Sequence, residues 1–407
     1  MTAFPKTTRE QAAIPEWLVK VCLALAVANL ALCPAAYLSS WWIYDAKGVG
    51  IPTDFINVWA AGRLVLDGVP AQAYDWDIQK QVEVAKLGQD FVGHFAWHYP
   101  PPFLFVASLL AMLPYAVGYA GWVYLSMLPY LAVMRAIVGH WFGLLVALSL
   151  PAVLMNCYAG QNGFLTAALI GGTLYLIPVR PVLAGICLGL LSYKPQYGLL
   201  FPVVLIAGGH WRVFVSAAVT AAVIAIASAF AYGLESWLAF FHWMPRFSQA
   251  FLTEGKATWW KLQSLFSLVR YFGGSEWLGW TFQWVLTASV AVVLWLMWRS
   301  RVPYTLKAAA LGVGTLLITP YLFVYDMMVL AIPIGFLVRI GLRSGFQAYE
   351  IPALGIVVAL IACYMFTGIP TGLAAMLIVA TLVLRRAGSW WRHEPAPNAV
   401  AAGAAIG

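Results

Sequence analysis

The chain has 407 residues, of which 63% are hydrophobic and only 9% charged, with a net charge of +8. A water-soluble chain is about half apolar and a quarter charged, so this much apolar surface needs lipid as its solvent. A soluble multidomain protein, a disordered chain and a disulfide scaffold are all excluded.

At roughly 20 residues per crossing plus connectors, the length admits about twelve membrane helices. The 20 tryptophans suit the aromatic belts of such a protein. A pI near 9.2 would fit nucleic acid, but the basic residues are scattered between apolar runs instead of clustered, so no nucleic-acid partner is expected. Cys22, Cys33, Cys157, Cys187 and Cys363 lie in or beside apolar runs with neither metal nor redox spacing. They read as small packing residues.

The first apolar run, 17–38, follows Lys6 and Arg9 and carries Lys20 near its start. It is too long for a signal peptide and lacks a cleavage site, so it reads as a retained first helix with a cytoplasmic N-terminus. A polar stretch, 41–99, follows and holds seven of the fifteen acidic residues. Within it, 54–67 has helical periodicity. Phe55, Val58, Trp59, Gly62 and Leu66 share one face, and Asp54, Asn57 and Ala61 another. Such a helix is expected to lie on the membrane surface.

From Pro100 to Gly233 the chain is almost continuously apolar. It is interrupted near Arg135, at Gly160-Gln161-Asn162-Gly163, at Arg180-Pro181, at Lys194-Pro195 and at His210-Trp211-Arg212. Residues 100–134 are long for one crossing and short for two. A second polar, aromatic stretch runs over 233–277, and further spans are expected near 278–298, 303–319, 326–340, 351–366 and 371–385. The expected organisation is one transmembrane domain, 1–387, with outer loops at 41–99 and 233–277. A disordered cytoplasmic tail, 388–407, would follow.

Orientation follows from the basic residues. With both termini inside, 14 of the 23 lysines and arginines fall inside and 9 outside. The two polar stretches, the 160–163 turn, Lys194 and Tyr325-Asp326 then converge on the outer face. Convergence of polar groups on one face of a membrane bundle is the pattern of a site.

Asp54 opens the 54–67 helix. It either caps that helix or serves as a general base on an incoming hydroxyl at the lipid–water boundary. Lys194 sits between two arms too short to cross about 30 Å of hydrocarbon, so its turn belongs in a recess. There it would meet an anionic phosphate or form a structural ion pair. Gln161 and Asn162 are either helix-turn residues or ligands for sugar hydroxyls. Asp326, with Tyr325, either caps the following span or binds sugar. His98 and Tyr99, before three prolines, and Trp260 with Lys261 in the second stretch, are either interfacial belt residues or sugar and acceptor contacts.

No P-loop, HExxH zinc motif or nucleotide-sugar Rossmann pattern occurs, so no metal and no cofactor is expected. No two halves match as inverted repeats, which weighs against a transporter.

Several segments, in order, resemble the glycosyltransferase 87 family of GT-C type membrane enzymes. They are Asp54-Phe55 with Trp59-Ala60-Ala61-Gly62-Arg63, Gly68, Ala73-Tyr74-Asp75, Trp97-His98-Tyr99-Pro100-Pro101-Pro102-Phe103 and Gly160-Gln161-Asn162-Gly163-Phe164-Leu165-Thr166. Leu183-Ala184-Gly185, Tyr193-Lys194-Pro195-Gln196, Gly209-His210-Trp211-Arg212 and Thr319-Pro320-Tyr321-Leu322-Phe323 with Tyr325-Asp326 continue the set.

The resemblance implies an all-α polytopic bundle of about twelve transmembrane helices with a large first periplasmic loop carrying amphipathic surface helices. It implies a polyprenyl-phosphate sugar donor, a glycolipid or glycan acceptor and an inverting transfer in a bacterial inner membrane. The essential acid of that loop corresponds to Asp54. The mannosyltransferase branch has histidines where Tyr325-Asp326 stands here. The alternative expectation is a transporter or flippase of lipid-linked sugars.

Overall fold

A computed structural model describes residues 14–255 and 259–392, with the side chains of 389–392 left aside. The first and last residues, including Lys6, Arg9 and most of the expected tail, lie outside the described residues. The described chain is helical, with only isolated β-bridges. The first helix, α1 (Glu16–Leu38), matches the first apolar run. The 41–99 stretch carries α2 (Phe55–Leu66) and α3 (Trp76–Leu87). Next come α4 (Leu104–Ala111), α5 (Tyr115–Val138), α6 (Phe142–Ser149), α7 (Ala152–Ala159), α8 (Gly163–Leu176), α9 (Pro181–Leu190) and α10 (Leu200–Ala207). The remainder is α11 (Trp211–Ser248), α12 (Leu265–Tyr271), α13 (Glu276–Arg299), α14 (Tyr304–Leu317), α15 (Ala331–Ser344), α16 (Glu350–Thr367) and α17 (Gly372–Arg392).

Among the described residues, six helices are long and apolar enough to cross a membrane, or seven if α6 and α7, bent by 63°, form one broken span. This is a multi-pass membrane protein, with fewer helices of spanning length among the described residues than the roughly twelve crossings expected. The shortfall has a local cause: several apolar runs are cut by proline and glycine into pieces of 8–14 residues. At 1.5 Å per residue such pieces are roughly 12–21 Å long, short of the hydrocarbon core. Residues 100–134 resolve into the eight-residue α4 and most of the 24-residue α5.

The helix beginning after Asp54 has the expected bounds but not the expected place. Eight of its twelve residues are buried, so α2 is wedged inside the protein and does not lie on a surface. The reason is Gly62. A Cβ at that position would stand 2.0 Å from the Ala107 carbonyl oxygen, so only a glycine lets α2 press backbone to backbone on α4. The α3 helix buries a single face, with Trp76, Gln79, Glu83 and Leu87 at i, i+3, i+7 and i+11. Burial pushes the Glu83 carboxyl up to about 9, which keeps it protonated at neutral pH.

The second polar stretch is mostly helical. The α11 helix continues through it to Ser248 after a break at Gly233, whose φ of 76° few other residues tolerate. The last helix runs past the expected domain end at 387, to Arg392. At the centre, residues 324–344 are almost wholly buried and pack against α8 and α14.

Candidate functional site

The ends of α2, α7, α11 and α16, the Pro100 approach and the Tyr321–Tyr325 segment enclose a cavity of about 350 Å³. Asp54, His98, Gln161, Lys261 and Tyr325, all singled out in the sequence, lie on its wall. Asn57, Phe247, Phe251, Tyr321, Phe323 and Tyr364 complete much of it.

Asp54 occupies the N-cap position of α2 but makes no capping hydrogen bond. The first turn is closed by backbone instead, with Ile56 N–H donating to the Thr53 carbonyl at 3.1 Å. The carboxylate is thereby released toward the cavity, where the Gln161 amide nitrogen donates to Oδ2 at 3.0 Å. Burial raises the Asp54 carboxyl above its ordinary value, while the Gln161 hydrogen bond and the Lys261 charge oppose that rise.

The Gln161 amide is itself oriented. Its carbonyl oxygen accepts from the Tyr99 hydroxyl at 3.2 Å, and that hydroxyl accepts from the Asn162 amide at 2.8 Å. The chain Asn162–Tyr99–Gln161–Asp54 therefore fixes the carboxylate from behind. Tyr99 and Asn162 are each 1% exposed and do not reach the wall.

Lys194 and Asp326 form a second buried layer. The Lys194 ammonium lies 2.7 Å from Asp326 Oδ1, and the Phe323 N–H donates to Asp326 Oδ2 at 3.2 Å. The residues are 4% and 2% exposed, and neither lines the cavity. Of the two alternatives for Lys194, the structure contains the ion pair. Asp326 likewise both caps its turn and holds the lysine. Among the described residues, the lysine on the cavity wall is Lys261. Trp260 is 38% exposed and meets the cavity only through the Tyr364 ring, 6.0 Å away.

An aromatic wall faces the carboxylate side. His98 stacks on Phe247 at 4.6 Å, Tyr321 packs edge-on to Phe247 at 5.3 Å, and Tyr325 stacks on Phe323 at 5.2 Å. Burial lowers the His98 imidazole to about 4, so the ring is neutral at neutral pH. Its Nδ1 lies 3.1 Å from the Ala96 carbonyl. The sequence reading missed Phe247, Phe251 and Tyr364 as site residues. They are ordinary aromatics in apolar runs, and no local pattern marks them. Asn57 was placed on the polar face of its helix and had that signal. Among the described residues no group of three or more His, Cys, Asp or Glu is placed to hold a metal ion.

A carboxylate and an ammonium on the wall of one aromatic cavity, in a multi-pass helical bundle, define a membrane protein with a polar site built at the end of its helices. The chain matches the family model described as glycosyltransferase family 87 over residues 97–320, more than half its length. It belongs to that family and is a membrane glycosyltransferase. The match contains His98, Gln161, Lys194 and Lys261 and ends before Tyr325; Asp54 precedes it. No curated protein and no solved structure matches the chain.

Proposed function

We propose that the protein transfers a hexose, with mannose as first choice, from a polyprenyl-phosphate sugar to a glycolipid or glycan acceptor. The transfer takes place at the periplasmic side of a bacterial inner membrane. The observation that carries this reading is the Asp54 carboxylate, freed from capping and held by Gln161 on a cavity wall that also presents Lys261. Family membership supplies the reaction class. The excess of basic residues among the segments assigned to the cytoplasm supports the orientation.

In this mechanism Asp54 takes the proton of the acceptor hydroxyl as its oxygen attacks the anomeric carbon. The bond from that carbon to the phosphate oxygen breaks, and its electron pair leaves with the polyprenyl phosphate. Attack opposite the leaving group inverts the anomeric centre. Lys261 stabilises the charge that develops on the departing phosphate, in a walled site where such an interaction is worth more than in water. Gln161, His98 and Tyr325 contact sugar or acceptor hydroxyls from the wall, and the Trp260 ring flanks the entrance. Asn162, Tyr99 and the Lys194–Asp326 pair support those groups from behind.

The test uses purified protein in lipid, radiolabelled polyprenyl-phosphate hexoses and a glycolipid acceptor mixture. Label appearing in a new covalent product, with inverted anomeric configuration by NMR, is the expected result. Label that only changes leaflet on the unaltered donor would establish a flippase and overturn the proposal.

A further inference from the structure

Three helices of the core, α8, α14 and the 324–344 segment, each have one end at the catalytic cavity and the other at a second, larger cavity. Gln161 and Asn162 precede α8, whereas Ile177 and Pro178 follow it; Tyr321 follows α14, whereas Tyr304 opens it. The second cavity has a volume of about 1180 Å³. With α8 and α14 each 14 residues long, the two cavities are separated by roughly 20 Å of helix.

The chemistry of this cavity is one-sided. Arg212, Arg301, Lys307 and Arg343 line it, with His210 beside them, and no carboxylate is among its lining residues. The positive-inside tendency alone would spread such charges over loops. Here three helices, α11, α14 and α15, and two turns bring them around one concavity.

Two further features add to that charge. The helices α9, α11 and α14 all begin at the cavity, with Pro181, Trp211 and Tyr304 on its wall, and none has a side-chain cap on its first amides. Uncapped N–H groups and the positive end of the helix dipole favour an anion. The Trp298 indole also lines the cavity, is 4% exposed, and its Nε1–H has no hydrogen-bond partner. A buried donor left unpaired is costly, and a small shift of the indole at the cavity wall would offer it to a ligand acceptor.

We propose that this cavity binds the phosphate of an anionic phospholipid headgroup. Phosphate is the shared chemistry of a lipid headgroup and a free anion, and the surroundings select the lipid. From the cavity rim, the exposed side chains of Trp211, Val215, Val219, Val223 and Ile226 continue as one apolar stripe along α11. Their spacing of three to four residues puts them on one helix face. A bound headgroup therefore has a surface along which its acyl chain can lie. The inference goes beyond glycosyl transfer and does not rest on it.

The experiment measures lipid binding, not activity. Full-length protein is held in phosphatidylcholine nanodiscs, and the unfolding temperature is followed while phosphatidylglycerol or inorganic phosphate is added. Native mass spectrometry counts the bound lipid. The cavity variant is Arg301→Gln/Arg343→Gln. The control is Arg135→Gln/Arg385→Gln, which loses the same charge from residues outside the cavity. All four arginines are exposed, or outside the core, so neither variant should be prevented from folding.

Phosphatidylglycerol should stabilise the wild type and the control alike, and the cavity variant should need roughly tenfold or more lipid for the same shift. Equal responses of cavity and control variants would reduce the effect to general surface charge and overturn the site. Saturation by inorganic phosphate at the same concentrations as lipid would show a free-anion site and overturn the lipid assignment.

Discussion

Asp54 and Gln161 are 107 residues apart in sequence, yet a hydrogen bond joins them on the cavity wall. Burial holds the Asp54 carboxyl above its ordinary value. Because the proposed base works only when ionised, activity should rise with pH along an acidic limb displaced above the usual carboxylate range. The Gln161 donor and the Lys261 charge both favour the ionised form. Gln161→Leu and Lys261→Met should each move that limb further up, read as the pH profile of kcat/KM. A limb that stays in place or moves down in both variants would detach it from Asp54.

The Lys194–Asp326 pair makes a stability prediction of its own. Breaking a buried pair on one side typically costs about 3–5 kcal/mol, whereas replacing both partners by apolar groups costs little. Lys194→Met should therefore unfold at markedly lower temperature, and Lys194→Met/Asp326→Leu should recover most of the loss. Additive losses in thermal unfolding would show that the two side chains are not coupled.

The elements set where those residues can stand. Asp54 stands at the cavity because α2 can sink against α4, and that depends on Gly62. Gly62→Val has no room against the Ala107 carbonyl, and overpacking of this kind costs about 1–3 kcal/mol. The displacement would also carry Asp54 with it. The expected result is a lower kcat together with lower stability. The open Gly68 serves as comparison, since nothing lies within 4 Å of a Cβ there and substitution strains only its own backbone. A Gly62→Val enzyme of full stability and activity would show that the close contact is not needed.

This helix also shows what the sequence could and could not tell. Its limits were readable from Asp54 and from the helical periodicity of 54–67, because such patterns are local. Its burial was not readable, because that depends on the small surface α4 offers across 45 residues of chain. The same distinction separates Gln161, found from its turn, from Phe247 and Tyr364, which only tertiary packing brings to the site.

For the molecule as a whole, composition alone was enough to require lipid, since a charged fraction of 9% leaves no other solvent. The crossing count was harder to read. The two short arms that meet at Lys194 were legible from their lengths, but the 303–319 run looks like a span in composition and forms a helix, α14, of only 14 residues. The pairing of Lys194 with Asp326, 132 residues away, was equally out of reach of local pattern.

The resulting architecture has a carboxylate cavity at one end of the core helices and a basic cavity at the other. The central claim concerns the first of these, that Asp54 drives transfer from a lipid-phosphate sugar. The most direct measurement is release of free polyprenyl phosphate from a panel of polyprenyl-phosphate sugars by purified protein in lipid, with wild type beside Asp54→Asn. The account predicts release by the wild type and a loss of about 10²–10⁴-fold in the folded variant. An Asp54→Asn protein that keeps the full rate would contradict it.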